Sequence, residues 1–327
     1  MTYKTYEAVI DETGQIRLLQ TVTCSHSTRA LVIILEGEEP SGDLSLQSTV
    51  HQAAPSDGTS WQSRYRAVRE LGSGGMGRTM LAERISDGVL VCLKFLHDHT
   101  NPMIFEQECR ALLRLRHPAI IALLDFSLGE TPPWIATEFA TGVTLSAYLK
   151  ERGTVPPADA LKLLRTMLEG LEHAHTQGVI HRDLKPANLM VDEVEGQPRL
   201  RILDFGIAIV DRLDHEGRLT ARGVDNPVGT MLYMAPEQLQ SKLLTPACDV
   251  YATGLIAWEM LMGKPPFQSK TPAALIYEKI KPSDGCRLDP TQVPTALREF
   301  VTAATQTDPD KRPSVREALT LLESYAV

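Results

Sequence analysis

The sequence lacks the features that mark secreted, disulfide-stapled and membrane-spanning proteins. Its five cysteines form no CxxC pair, and their odd number argues against a disulfide framework. Residues 1–12 carry acidic side chains and no apolar core of the length found in signal peptides. The apolar runs 30–35 and 250–262 are too short to cross a bilayer, and the second contains Glu259. These absences predict a cytoplasmic protein with reduced thiols and no membrane contact.

Positive charge is also in short supply. The chain has 33 Lys and Arg against 41 Asp and Glu, which gives a net charge of −8. This balance argues against non-specific affinity for nucleic acid, and we expect no nucleic-acid partner. Hydrophobic residues make up 43% of the 327 positions, which suits one large folded domain or two smaller ones.

Composition divides the chain into three regions. Residues 1–37 contain short β-like runs, and 11–14 read as a hairpin turn. Residues 38–60 are rich in Ser, Gly, Pro and Asp, which is typical of a flexible linker. Residues 61–327 carry strand signals at first and mostly helical periodicity after residue 138. We therefore predict an α+β chain in which a small β-stranded module precedes a β-rich lobe and a helical lobe.

A glycine-rich stretch opens the β-rich lobe. Its G-x-G-x-x-G spacing is also found in dinucleotide-binding turns, but those lead directly into a helix. Here the following residues, 79–82 and 89–95, read as strands, so a phosphate-binding hairpin is favoured. The stretch consists of Gly72, Ser73, Gly74, Gly75, Met76 and Gly77.

Two charged residues follow the glycine-rich stretch. Lys94 ends an apolar strand, where a buried ammonium needs an anionic partner. Glu108 lies on the helical run 105–115 and is the candidate partner, together with nucleotide phosphates. Taken alone, Lys94 fits an ordinary solvent-facing lysine, but the preceding hairpin favours a functional role.

The most specific stretch is His-Arg-Asp-Leu-Lys-Pro-Ala-Asn at 181–188, which has the pattern H-R-D-L-x-x-x-N. Asp183 can accept the proton of an attacking hydroxyl, and Lys185 can steady a transferring phosphoryl group. Asn188 and the later Asp204, which begins Asp-Phe-Gly, supply oxygen ligands suited to a hard cation.

With Ala-Pro-Glu at 235–237, these motifs complete an ordered set, GSGGMG, VCLK, HRDLKPAN, DFG and APE. Over residues 65–322 the chain resembles the eukaryotic-like protein kinases, and most of all the bacterial Ser/Thr kinases. The resemblance implies a two-lobed protein kinase fold, ATP as the phosphoryl donor, and Mg²⁺, with Mn²⁺ as an alternative. It further implies a protein substrate with a Ser or Thr acceptor and autophosphorylation.

The resemblance also assigns roles. Lys94 pairs with Glu108 and holds the α- and β-phosphates, Asp183 is the catalytic base, and Asn188 and Asp204 bind the metal. Lys185 favours Ser/Thr over Tyr specificity. Nucleotide contacts are implied for the glycine-rich stretch, Leu71, Thr79, Cys92, Thr137, Glu138, Ala140 and Met190.

Further residues acquire structural or regulatory roles from the same resemblance. Glu237 is expected to form a buried pair with Arg312. Asp249 is expected to accept hydrogen bonds from the backbone of residues 181–188, which form the catalytic loop in this family. Thr220 and Thr230 lie in the segment between Asp-Phe-Gly and Ala-Pro-Glu and are candidate regulatory sites. Arg182 would give a phosphate at Thr220 a cationic partner.

Residues 1–37 resemble the small β-stranded modules of bacterial antitoxins. Three short strands bury little surface alone, so this module is expected to pair with a second copy, another protein or the kinase lobe. Besides an active kinase, the sequence leaves open a pseudokinase scaffold and a small-molecule phosphotransferase. A role in a toxin–antitoxin-type module is compatible with kinase chemistry.

Overall fold

The computed structural model separates into two compact units, residues 1–51 and 52–327. In the first unit, β1 (Ala8–Ile10) pairs antiparallel with β2 (Ile16–Leu18). This confirms the predicted hairpin, whereas the third predicted run and the predicted linker boundaries lie outside the described residues. The structure describes residues 8–10, 16–18, 60–74, 77–97, 102–194, 196–205, 231–240, 242–289, 291 and 293–323.

A five-stranded antiparallel sheet forms the first lobe of the second unit. Its order is β3-β4-β5-β7-β6. Side chains alternate along β5, so that Val91, Leu93 and Phe95 are buried on one face while Cys92 and Lys94 take the other. The strands are β3 (Tyr65–Gly74), β4 (Gly77–Arg84), β5 (Leu90–Leu96), β6 (Leu123–Ser127) and β7 (Trp134–Glu138).

Helix α1 (Pro102–Arg114) accompanies this sheet. Its Phe105 and Cys109 are buried in one apolar cluster with Leu96 and Ile135 of the sheet. This packing sets the face of the helix on which Glu108 lies, because residues three and four apart share a helix face.

The second lobe is mainly helical. The helix Ala247–Met262 is buried on nearly every side, which agrees with its almost continuous apolar sequence. Among the described residues, no helix is long and apolar enough to cross a membrane. The helices of this lobe are α2 (Leu145–Arg152), α3 (Pro157–Thr176), α4 (Pro236–Leu239), α5 (Ala247–Met262), α6 (Pro272–Ile280), α7 (Thr295–Ala304) and α8 (Val315–Glu323).

A small antiparallel sheet lies at the start of the helical lobe. It consists of β8 (Val143–Thr144), β9 (Leu189–Val194) and β10 (Gln197–Ile202), in the order β10-β9-β8. The catalytic-loop sequence leads directly into β9, and Asp-Phe-Gly follows β10. Because β9 and β10 are neighbours with Leu189 opposite Ile202, the two motifs come together at one end of this pair.

Candidate active site

The glycine-rich stretch spans the end of β3 and the start of β4, with Gly74 opposite Gly77. A Cβ atom on Gly77 would lie 1.9 Å from the carbonyl oxygen of Phe95. This position therefore requires glycine for the close approach of two strands. Leu71, Gly72 and Ser73 are exposed on the same hairpin, while the predicted Gly75 and Met76 lie outside the described residues.

The predicted pair between Lys94 and Glu108 is present. The Lys94 Nζ donates to both carboxylate oxygens of Glu108 at 2.7 and 2.9 Å, and Asp204 Oδ1 lies 3.4 Å from the same nitrogen. Burial lowers the pKa of Lys94, but the Asp204 and Glu108 carboxylates outweigh this effect and leave the pKa above its ordinary value. The Lys94 ammonium therefore stays positively charged near pH 7, next to the partly exposed carboxylate of Asp204.

Three predicted residues of the catalytic loop contact one another. The Lys185 Nζ donates to Asp183 Oδ2 at 2.7 Å. The Asn188 Nδ2 donates to the Asp183 carbonyl oxygen at 2.8 Å and lies 3.4 Å from Oδ2. These contacts hold the Asp183 carboxylate in one orientation beside a fixed positive charge.

Asp249 of α5 binds the backbone of the same loop and so braces it. Its two carboxylate oxygens accept hydrogen bonds from the backbone N–H groups of His181 and Arg182, both at 2.8 Å. This confirms the predicted contact with the loop backbone. Arg182 has a φ of 66°, a conformation that non-glycine residues rarely adopt, immediately before Asp183. The buried carboxylate thus stabilises a strained turn, and this turn sets the orientation of Asp183.

His181 is part of the packing and not of the proton-transfer chemistry. Its side chain is fully buried and its ring centroid lies 4.9 Å from that of Phe205. Burial lowers the pKa of His181, so the ring is neutral near pH 7. Phe205 follows Asp204, and the ring contact therefore connects the Asp-Phe-Gly motif to the catalytic loop.

Three predicted nucleotide contacts lie on neighbouring strands. Thr79 is opposite Lys94 between β4 and β5, and Cys92 is opposite Thr137 between β5 and β7. Burial raises the pKa of Cys92 to about 11, so its thiol is protonated near pH 7. These side chains share the region of Lys94, while their contact with adenine stays a prediction.

The remaining nucleotide contacts follow β7 or lie on β9. The backbone N–H of Glu138 donates to the Ala122 carbonyl at 3.0 Å, and Ala140 is buried. Met190 is half-buried and pairs with Thr144 of β8. The predicted regulatory residues Thr220 and Thr230 lie outside the described residues.

The predicted pair of Glu237 and Arg312 is buried and bidentate. The Arg312 Nη1 and Nη2 atoms donate to the two Glu237 carboxylate oxygens at 2.6 and 2.9 Å. Arg312 also donates to the carbonyl oxygens of Gln306, Thr307 and Ala247. The remaining donors of this buried guanidinium are thereby satisfied, which a buried ion pair requires.

The structure adds residues that motif analysis did not find. His175 Nε2 lies 2.8 Å from Asp249 Oδ2, so α3 helps to position the carboxylate that binds the catalytic-loop backbone. The Gln238 amide donates to the Arg182 carbonyl and accepts from the Ala235 N–H, both at 2.8 Å. The signal for these residues was only their adjacency to recognised motifs.

The donor set suits a magnesium ion. Asp204 offers a carboxylate whose side chain is 53% exposed. The nitrogen of the Asn188 amide is engaged by Asp183, which leaves the amide oxygen to coordinate a cation. Mg²⁺ is usually bound by one or two such protein oxygens together with substrate phosphates. The arrangement can therefore bind a metal–nucleotide complex next to a carboxylate able to accept a proton.

Comparison with known proteins agrees with this geometry. Residues 65–321 match the family described as "Protein kinase domain". The serine/threonine-protein kinase pkn2 of Myxococcus xanthus is 36% identical over 214 residues, which cover 64% of this chain and 25% of that protein. The serine/threonine-protein kinase PrkC of Bacillus subtilis is 30% identical over 261 residues, 78% of this chain and 39% of that protein.

A third relative, the serine/threonine-protein kinase pkn3 of Myxococcus xanthus, is 33% identical over 266 residues. They cover 78% of this chain and 48% of that protein. The chain thus spans between a quarter and a half of the length of these curated relatives.

Proposed function

The chain belongs to the protein kinase domain family, and we propose that it is a serine/threonine kinase that phosphorylates proteins with ATP. The observation that carries the proposal is the pairing of two lysines with acidic residues in one fold. Lys185 contacts Asp183, and Lys94 contacts Glu108 and Asp204. A proton acceptor and a phosphate-binding cation are thus both supplied.

In the proposed reaction the acceptor hydroxyl attacks the γ-phosphorus of ATP. A new O–P bond forms, the bond to the β-phosphate oxygen breaks, and ADP leaves. The proton of the hydroxyl passes to the Asp183 carboxylate. Lys185, 2.7 Å from that carboxylate, supplies positive charge where the phosphoryl group crosses.

The phosphates of ATP are held by the first lobe. Lys94 donates to the α- and β-phosphates, and Glu108 fixes the position of its ammonium. Asn188 and Asp204 bind Mg²⁺, or Mn²⁺ in its place, which when bound neutralises charge on the phosphate oxygens. Catalysis then consists of positioning and electrostatic stabilisation, with no covalent intermediate on the protein.

Acceptor choice is tested with four otherwise identical peptides that carry Ser, Thr, Tyr or Ala at one position. Purified protein with γ-labelled ATP and Mg²⁺ is expected to label the Ser and Thr peptides only. Labelling of the Tyr peptide at an equal rate would contradict the Ser/Thr assignment. ATP binding without label on any peptide or on the chain itself would favour the pseudokinase alternative.

Regulation by phosphorylation is proposed at Thr220. Within the described residues, the Nε of Arg182 is buried and has no hydrogen-bond partner, which supports a role for this side chain in binding a phosphate. Thr220→Ala should lower the activity of autophosphorylated protein and leave the activity of dephosphorylated protein unchanged. Thr230→Ala tests the second candidate in the same way. Phosphopeptides free of phosphate at Thr220 in active enzyme would reject the role of Thr220.

The module 1–37 is proposed to join two copies of the chain or to bind a partner protein. The support is the short hairpin of β1 and β2, which alone buries little surface. Light scattering should show a dimer for the full chain and a monomer when residues 1–37 are removed; equal masses would reject self-association.

The four free cysteines of the described part suit a reducing cytoplasm, where we place the protein.

A further inference from the structure

Lys279 of α6 is a buried lysine that the proposed mechanism does not use. Lys279 is 2% exposed, and no acidic side chain of the described residues forms an ion pair with it. Its Nζ instead donates to the carbonyl oxygens of Leu232 and Met234, at 2.5 and 2.8 Å. The ammonium is therefore directed at the backbone of one short segment.

Two aromatic rings lie near Lys279, and the pair of Glu237 and Arg312 is close enough to act on it electrostatically. Its Nζ lies 5.2 Å from the ring centroid of Tyr251 and 5.1 Å from that of Phe267, distances at which a cation is attracted to the ring face. Burial nevertheless lowers the pKa of Lys279 well below its ordinary value. A polar group held at such a cost needs a function that an apolar side chain would not supply.

The segment bound by Lys279 leads to the catalytic loop. Met231 and Met234 pack with Leu275 of α6 in an apolar cluster, which already holds the segment against the helix. The next residue, Ala235, donates its N–H to the side chain of Gln238, which in turn donates to the Arg182 carbonyl. The segment 231–235 is thus one side-chain contact away from the turn that carries Asp183.

Apolar packing and the lysine fix different properties of this segment. The cluster around Met234 fixes how closely the segment approaches α6, but it is non-directional. The two hydrogen bonds to the carbonyl oxygens of Leu232 and Met234 fix the orientation of their peptide planes. An acceptor hydroxyl that reaches Asp183 comes close to the turn at Arg182, to which Gln238 links this segment.

We propose that Lys279 is a positioning residue for the protein acceptor, because it fixes the backbone of residues 231–235 beside the catalytic loop. The inference rests on the proposed kinase function and extends it to acceptor recognition. Lys279 touches neither ATP nor the reacting atoms. Its loss should therefore change the KM for the protein acceptor more than the kcat or the affinity for ATP.

The test compares Lys279→Met with the unchanged chain. Methionine has a similar length and no donor, so both hydrogen bonds are lost while the site stays filled. We expect the acceptor KM to rise about tenfold or more, as suits the loss of two hydrogen bonds from a buried donor. The Kd for ATP should stay unchanged. The thermal transition should fall only modestly, because two carbonyl oxygens lose their donor while the apolar packing stays.

Lys270→Met is the matched control, because this exposed lysine lies just before α6; it should leave KM and kcat unchanged. Lys279→Gln retains an N–H donor and should give an intermediate KM. Equal acceptor KM values for the chain and Lys279→Met would overturn the proposal. Unfolding of both Lys279 variants would also overturn it, by assigning the residue a structural role.

Hydrogen exchange separates this proposal from the proposed function. Amides of residues 231–240 should exchange faster in Lys279→Met, while those of α5 should not change. If the unchanged chain phosphorylates no protein acceptor, the proposed function fails and acceptor positioning fails with it. Exchange still decides then whether Lys279 fixes the segment, and unchanged exchange would reject that as well.

Discussion

The catalytic loop and the cluster of Lys94, Glu108 and Asp204 serve one candidate site, but different contacts hold them. The loop is fixed through its backbone by Asp249, a carboxylate that is 1% exposed and is held in turn by His175. The cluster joins strand β5, helix α1 and Asp204, two residues past the end of β10, through side chains alone.

This difference indicates which half of the site can be adjusted. Displacing α1 breaks one ion pair, that of Glu108 with Lys94, together with the apolar packing of the helix, whereas reorienting Asp183 requires breaking several buried hydrogen bonds. Buried hydrogen bonds to charged groups are costly to lose. We therefore expect the loop to be preformed in the absence of ligands and the phosphate-binding half to respond to regulation.

The largest effect is expected at the loop. Asp183→Asn removes the proton acceptor and should lower the rate of phosphoryl transfer by about 10²–10⁴-fold. Calorimetry should give an unchanged Kd for ATP. Asp192→Asn, which alters a carboxylate paired with Arg199 on neighbouring strands, is the control and should retain full activity. A similar loss in both variants would remove Asp183 from the mechanism.

The adjustable half is tested by Lys94→Met and Glu108→Gln. Lys94→Met removes the cation itself and should lower kcat/KM for ATP by about 10²–10³-fold. Glu108→Gln leaves the cation but loosens its position, so the loss should be smaller. Steady-state kinetics with varied ATP measures both, and a larger loss in Glu108→Gln would contradict the assigned order.

The contribution of the brace is expected to be intermediate. Asp249→Asn keeps one acceptor oxygen but loses charge-assisted hydrogen bonds, and should lower the free energy of unfolding by about 1.5–3 kcal/mol. Urea denaturation measures this change. Glu108→Gln in the same experiment should cost less, since its pair does not fix backbone; the reverse ranking would refute the comparison.

The same brace predicts a pH dependence. Burial raises the pKa of Asp249, but the contacts with His175 and the His181 backbone outweigh it and leave the pKa below its ordinary value. Because the native pKa is depressed, the stability that Asp249 contributes is present above the ordinary Asp pKa of about 3.9. The stability difference between the chain and Asp249→Asn should stay constant from pH 7 to pH 5 and shrink below about pH 4.

The smallest effects are expected near the nucleotide base. Cys92→Ala and Thr79→Val should each change the Kd for ATP measurably but by less than about tenfold, or 1.4 kcal/mol. Thr79 is opposite Lys94 on the neighbouring strand, and Cys92 lies two residues before Lys94 on the same strand. Neither side chain carries charge. Nucleotide titration measures the change, and affinities identical to that of the unchanged chain would show that these side chains do not contact adenine.

Contacts in which both partners are charged side chains could be predicted. The sequence pattern suggested Lys94 with Glu108, and the family resemblance implied Glu237 with Arg312. In each pair both partners belong to a residue type visible in the sequence. The hairpin of the glycine-rich stretch and the central helix α5 also followed from local pattern.

The contact of Asp249 with the catalytic-loop backbone was expected from the family resemblance, but other contacts with backbone atoms escaped prediction. Lys279 binds carbonyl oxygens 45 and 47 residues away, and Gln238 binds one 56 residues away. Since every residue has a carbonyl, such a partner leaves no signal in residue type. The one hint for Lys279 was its position four residues after Leu275, on the buried face of α6.

The most direct test of kinase activity is to incubate the purified chain with Mg²⁺ and γ-labelled ATP beside Asp204→Ala and to map the label by mass spectrometry. We predict label on Ser or Thr residues of the unchanged chain and none on Asp204→Ala. Absence of label from the unchanged chain and from every added protein acceptor, despite measurable ATP binding, would contradict the assignment as a kinase.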